Sequence, residues 1–138
     1  FDDIIKEYPD IQLITEQHVP AEQPINDAEE ITANLLTANP DKDSVTAIFA
    51  AWDEPAIGAA KALAEAERDE VIVTGVDGNE QAVQMIKDGS CLKATVKQNF
   101  EGMADIVCRQ MEKYYAGETI EKGEMYAPAE LITQENAQ

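Results

Sequence analysis

Basic residues are scarce in this sequence: Lys and Arg total 10 against 28 Asp and Glu, a formal net charge of −18. So acidic a surface repels phosphate backbones and anionic lipids, and nucleic acid is not expected as a direct partner. Most of the charge is expected to lie on a solvated surface that keeps the protein soluble.

Histidine and cysteine are rare too. A zinc site needs several ligands, so the single histidine, His18, is expected in a loop rather than in a metal site. Cys91 and Cys108 lack a Cys-x-x-Cys spacing and a neighbouring histidine. Buried free thiols are the expectation, and a disulfide between the two stays open. The sequence predicts neither a metal nor a cofactor.

Long apolar runs are absent: none approaches the roughly 20 residues that cross a bilayer. No signal peptide is expected within these residues, since Phe1 opens directly into an amphipathic pattern. The 138 residues, 44% hydrophobic, are enough for one domain with its own core.

Strand-like and helix-like segments alternate along the whole chain, which predicts an α/β fold with a mostly parallel sheet and helices on both of its faces. Asn26 with Glu29, and Asp53 before Pro55, are expected to cap two of the helices. Strands are predicted at residues 11–15, 45–51, 71–76 and 92–96, with a last one between Met125 and Ile132. Helices are predicted at residues 1–8, 80–87 and 100–115, and two more are predicted to begin near residues 26 and 53.

Polar or aromatic residues follow three of the apolar strands directly. In open α/β sheets, ligands bind outside the carboxyl ends of the strands. The face of a tryptophan suits the C–H face of a sugar ring, and carboxylates and amides suit its hydroxyl groups. The alternative is that the acids and amides only cap helices and that the tryptophan borders the core. The residues concerned are Trp52 and Asp53, Asp77, Gly78 and Asn79, and Gln98 and Asn99.

Three motifs in order carry a family resemblance: AIFAAWDEPAIGAAKAL, then VIVTGVDGNEQAVQMIKDGSCLKATVKQN, then a helix that ends in YYAGE. Together they resemble the carboxy-terminal half of a type I periplasmic sugar-binding protein of the ribose-binding kind. Such receptors serve ABC importers and are related to the effector domains of Lac-repressor-like regulators. The resemblance implies a Rossmann-like lobe that spans residues 1–138.

The resemblance also implies roles for individual residues. Asp77 matches the aspartate that accepts sugar hydroxyls in the family, Gln98 the glutamine near the hinge, and Asp53 the acid of the family's Ala-Asn-Asp motif. Trp52 stands where the asparagine of that motif is usual, which favours a pentose other than ribose, a hexose or a polyol. Weaker ligand-binding candidates are Asn79, Asn99 and Gln17.

Family members have two lobes, whereas this chain matches one. The resemblance implies that residues 97–117 would pack on the absent first lobe. On its own, the helix there would either fold back or exchange with a second copy, and a helix-swapped homo-oligomer is favoured because large apolar patches are unusual on monomers.

The function implied is the binding of a sugar or polyol for an ABC permease outside the cytoplasm, with the signal segment not in this chain. The alternative is the effector-sensing domain of a Lac-repressor-like regulator. Catalysis by Asp53 and Asp77 is not expected, because no nucleophile with an adjacent base and no phosphate-binding loop is visible.

Overall fold

A computed structural model describes residues 2–137. Four strands form one sheet in the order β1-β2-β3-β4. The first three strands are parallel, and β4 runs antiparallel to β3. The helices are α1 (Asp2–Ile5), α2 (Pro24–Ala38), α3 (Asp53–Glu65), α4 (Glu80–Lys87) and α5 (Phe100–Tyr115), and the strands are β1 (Ala47–Phe49), β2 (Ile72–Asp77), β3 (Leu92–Lys97) and β4 (Glu130–Thr133).

The α/β class and the mostly parallel sheet with its helices are confirmed. The crossovers through α3 and α4 add strands in the same direction, so right-handed connections place both helices on one face. Val73 and Leu92 are buried on that face, whereas Ile72 and Leu131 on the other face are 47% and 58% exposed.

Helices α2 and α3 pack closely, and Gly58 sets their distance. A Cβ atom on Gly58 would lie 2.2 Å from the carbonyl oxygen of Ile25 and 3.0 Å from the Cβ of Ala28. Only a residue without a side chain fits there. Below this contact, α3 buries Ile57 and Leu63 in the main core.

The predicted strand at residues 11–15 is not a strand in the structure. Residues 11–20 have no regular secondary structure, no neighbouring strand supplies ladder hydrogen bonds, and Ile11, Leu13 and Ile14 are about half exposed. The predicted cap at Asn26 is wrong too. Helix α2 begins two residues earlier at Pro24, which suits a first helical turn, and Gln23 is its N-cap residue. Phe1, predicted on the apolar face of the first helix, lies outside the described residues.

Helix α5 stands apart from the core, with no buried residue along its 16 positions. It therefore does not fold back onto its own lobe. Met103, Val107 and Met111 are between 36% and 57% exposed. These residues and Tyr114 form what we call the α5 apolar stripe.

The two thiols are free, so the disulfide left open by the sequence does not form. Cys91 is buried and donates to the carbonyl oxygen of Ala60 at 3.6 Å, and burial raises the pKa of its thiol. Cys108 is exposed on α5. No helix within residues 2–137 is both long and apolar enough to cross a membrane.

Candidate functional site

Three loops leave the same edge of the sheet because β1, β2 and β3 are parallel and their carboxyl ends point the same way. The register aligns Phe49 with Thr74 and Asp77 with Lys97. The loops that leave this edge carry Trp52 after β1, residues 77–79 after β2, and residues 98–99 after β3. The structure thus brings the main sequence-predicted residues to a common edge.

Asp77 and Gln98 are joined directly. The Nε2 of Gln98 donates to Oδ1 of Asp77, and its backbone N–H donates to the carbonyl oxygen of Asp77 at 3.3 Å. Both residues are part-buried. They present a carboxylate and an amide side by side, a combination that can accept from and donate to ligand hydroxyl groups.

The backbone of the loop after β2 is unusual. Asp77 has a φ of 122°, rare for a residue with a side chain, and Gly78 follows with a φ of 75°. A Cβ atom on Gly78 would lie 2.8 Å from the Cα of Lys97. Gly78 therefore lets the loop cross close over the end of β3.

Asp53 lies beneath this loop and is fully buried. Its Oδ2 accepts from the backbone N–H of Asn79 at 2.7 Å, and its Oδ1 accepts from the hydroxyl of Thr95 at 2.7 Å. Burial raises the pKa of the Asp53 carboxyl, an effect that outweighs the lowering by these hydrogen bonds. The expectation that Asp53 caps its own helix is wrong, because Trp52 is the N-cap residue of α3 and makes no side-chain cap bond.

Thr95 is a site residue that the sequence analysis missed. It is fully buried, and its hydroxyl accepts from the backbone N–H of Gly78 at 3.2 Å while it donates to Asp53. Gly75 makes room for this contact, since a Cβ atom there would lie 2.4 Å from Oδ1 of Asp53. The signal in the sequence that could have indicated Thr95 is its hydroxyl at a position of β3 that faces the helices.

The weaker candidates are placed differently. Oδ1 of Asn79 caps α4 by accepting from Ala82 N–H at 2.8 Å, and Oδ1 of Asn99 caps α5 by accepting from Gly102 N–H at 2.8 Å. Gln17 lies on the exposed segment before α2, and its amide donates to Thr15. Among the described residues, no hydrogen bond joins Gln17 to the other candidates.

Trp52 is partly exposed and has an extended backbone at the start of α3. A flat apolar ring, a carboxylate and an amide thus share one edge of the sheet, an arrangement suited to a neutral ligand with hydroxyl groups and C–H faces.

The family profile described as a periplasmic binding protein domain matches residues 1–119. The chain belongs to this family. The D-apiose import binding protein of Actinobacillus succinogenes is 30% identical over 138 residues, 99% of this chain and 43% of that protein. The ribose import binding protein of Bacillus subtilis is 36% identical over 104 residues, 75% of this chain and 32% of that protein.

Solved structures of periplasmic binding proteins agree with the fold. A solute binding protein of an ABC transporter from Agrobacterium vitis, solved with bound allitol, superposes with a TM-score of 0.89 at 30% identity, over 99% of this chain and 47% of that one. One from Actinobacillus succinogenes with bound D-allose gives a TM-score of 0.80 at 30% identity, over 98% and 46%. The chain spans less than half the length of these relatives.

Proposed function

We propose that this chain is the carboxy-terminal lobe of a receptor that binds a sugar or polyol for an ABC importer. The observation that carries the proposal is the pairing of Asp77 and Gln98 at the sheet edge where Trp52 emerges. Relatives named for ribose, D-apiose and D-allose, and a structure with bound allitol, support neutral polyhydroxylated ligands.

In this proposal, the indole of Trp52 stacks on the C–H face of the ligand, and Asp77 accepts from its hydroxyl groups. Gln98 is held in place by its hydrogen bond to Asp77, and its amide can turn from there towards a ligand hydroxyl as the site fills. Stacking and hydrogen bonding without a buried net charge on the ligand suit reversible uptake and release.

The proposed function includes no catalysis. Of the two acids considered as an acid–base pair, Asp53 has both oxygens engaged and is closed to solvent. A proton on Asp53 therefore has no direct route to a bound ligand. The names of the relatives in both comparisons describe import and solute binding, which supports the receptor over an enzyme or a regulator.

The α5 apolar stripe supports the proposed boundary of the lobe. Residues 97–117 would pack on a first lobe in a longer protein, because the helix buries nothing against its own lobe. The relatives are more than twice as long as the matched region, which leaves room for that lobe. The same family membership supports placement outside the cytoplasm and delivery to a permease as parts of the proposal.

A titration tests the ligand class directly. Because Trp52 is the single tryptophan, its fluorescence reports on the site alone. We expect ribose, D-apiose, D-allose or allitol to change it with a dissociation constant of about 1 mM, since one lobe contacts one side of the ligand. Glycine betaine, a charged solute without hydroxyl groups, is the matched control. No response to any sugar or polyol, in this chain or in a two-lobe protein that contains it, contradicts the proposal.

A further inference from the structure

Asp53 is fully buried, and burial of its carboxylate is energetically costly. A carboxylate without solvent contact must be compensated by hydrogen bonds. Its two oxygens find their partners outside α3, the helix that begins with it: Thr95 lies 42 residues on, and Asn79 lies 26 residues on. A residue that only stabilised the start of α3 would bond to that helix's own first turn.

Thr95 extends the same contact to the loop after β2. Its hydroxyl joins Asp53 to the backbone N–H of Gly78, so two successive N–H groups of the loop are held from below. We call Asp53 and Thr95 the buried clamp. Among the described residues, no buried polar side-chain atom is left without a partner, which shows that the clamp is satisfied.

The loop after β2, which the buried clamp contacts, has an unusual backbone conformation that needs supporting contacts. Asp77 adopts its unusual φ of 122° immediately before the two held residues. Such a conformation is energetically unfavourable and persists only where surrounding contacts enforce it. With the loop in this conformation, the carboxylate of Asp77 accepts from the side-chain amide of Gln98.

We propose that Asp53 and Thr95 are positioning residues that fix the loop after β2, so that Asp77 is presented to the ligand and to Gln98. Neither touches the ligand. The inference rests on the proposed function, which gives the site its ligand. The positioning of the loop can be measured without a ligand.

The test compares Thr95→Val with Thr95→Ser in the 138-residue chain by ¹H–¹⁵N NMR. Valine keeps the volume and removes the hydroxyl, whereas serine keeps the hydroxyl. Thr74→Val is the matched control, because Thr74 lies on β2 on the opposite face of the sheet. The readouts are hydrogen exchange at the N–H groups of Gly78 and Asn79 and the resonance of the Gln98 side-chain amide.

In Thr95→Val we expect exchange at both loop amides to accelerate by about tenfold, the loss expected for one hydrogen bond, and the Gln98 amide to shift. Thr95→Ser should restore both readouts, and Thr74→Val should leave them unchanged. Asp53→Asn, which keeps the shape and one acceptor oxygen, should also accelerate exchange at the loop and tests the clamp if Thr95→Val does not fold.

Unchanged loop exchange and an unchanged Gln98 amide in folded Thr95→Val, or in Asp53→Asn, would overturn the positioning role. The same holds if Thr74→Val moves these readouts equally. If the loop responds as expected but neither the wild-type chain nor a two-lobe protein that contains it binds a sugar or polyol, the positioning role stands and the proposed function fails.

Discussion

The side-chain amide of Gln98 donates to the carboxylate of Asp77 across the carboxyl ends of two neighbouring strands. The two residues are 21 positions apart in sequence and are brought together by the parallel register of β2 and β3. Each satisfies a hydrogen-bonding group of the other. A ligand hydroxyl that inserts between them therefore exchanges one hydrogen bond for others, which moderates affinity and favours ligands with several hydroxyl groups.

Replacement of Gln98 should weaken ligand binding more than folding. We expect Gln98→Ala to reduce affinity for the best sugar of the panel by about tenfold, because a donor to the ligand and the partner of Asp77 are both lost. The measurement is the Trp52 fluorescence titration. Gln84→Ala on α4 is the control, since Gln84 also donates from its amide to an aspartate but lies outside the site. Equal effects of the two variants would contradict a site at Gln98.

Trp52 should contribute binding energy rather than stability. We expect Trp52→Ala to abolish measurable binding, while the free energy of unfolding falls by no more than about 2 kcal/mol, because the side chain is partly exposed. Calorimetric titration measures binding, since the variant lacks the fluorophore. Trp52→Phe, which keeps a ring, should recover part of the affinity. A Trp52→Ala variant that binds normally would assign the ring to packing.

Much of the fold could be predicted from sequence. The bounds of α4 and α5 are confirmed, β3 differs from its predicted range by one residue at one end, and β2 is shifted by one residue at both ends, because apolar periodicity and turn residues agree there. The segment at residues 11–15 has the right pattern for a strand, but a strand also needs a neighbour to pair with, and no local pattern supplies one. The strand predicted at residues 45–51 is present but shorter, as β1 (Ala47–Phe49), and its partner strand β2 follows in the chain.

The site was predicted in part for a similar reason. Residues after apolar strands can be located by reading along the chain, so the placement of Trp52, Asp77 and Gln98 at one edge of the sheet was predicted. The position of Asp53 was found, but its partners could not be, because Asn79 and Thr95 are brought to it only by tertiary structure. The local sequence favoured Asp53 as a helix cap, but long-range packing gave its carboxylate partners outside its own helix.

The raised pKa of Asp53 predicts a pH dependence of stability. The pKa of Asp53 is higher in the folded state than its ordinary value of 3.8. The contribution of Asp53 to the free energy of unfolding is therefore full below pH 3.8 and is lost as the pH rises through the folded-state pKa. Denaturant unfolding of wild type and Asp53→Asn from acidic to neutral pH measures it. We expect the stability of wild type relative to Asp53→Asn to fall as pH rises, and then to level off.

The control for this experiment is Asp88→Asn, an exposed acid at the end of α4. This variant measures the effect of removing one exposed carboxylate from the surface. A difference between wild type and Asp53→Asn that rises with pH would mean that the hydrogen bonds from Thr95 and Asn79 outweigh burial, and would contradict a raised pKa for Asp53.

Gly58 should be intolerant of any side chain. Alanine favours helices over glycine by about 1 kcal/mol, yet we expect Gly58→Ala to destabilise the protein by about 1–3 kcal/mol, since its Cβ would collide with the backbone of α2. Gly102→Ala on α5 is the matched control. The nearest atoms to a new Cβ there belong to the side chain of Asn99 rather than to the backbone of a neighbouring helix. Chemical denaturation measures both, and a Gly58→Ala variant as stable as wild type would contradict the close helix contact.

The α5 apolar stripe should drive self-association when the chain is alone. We expect light scattering to show a dimer or larger oligomer and Met111→Lys to shift it towards the monomer, because a charge in a buried apolar contact is costly. Met111 is 51% exposed within one copy, so the stability of the monomer should change by only about 0.5 kcal/mol. Glu112→Gln makes the same change of one charge on the polar side of α5 and should leave the mass unaltered. A wild-type chain that stays monomeric would show that the stripe needs a first lobe, and would contradict association between copies.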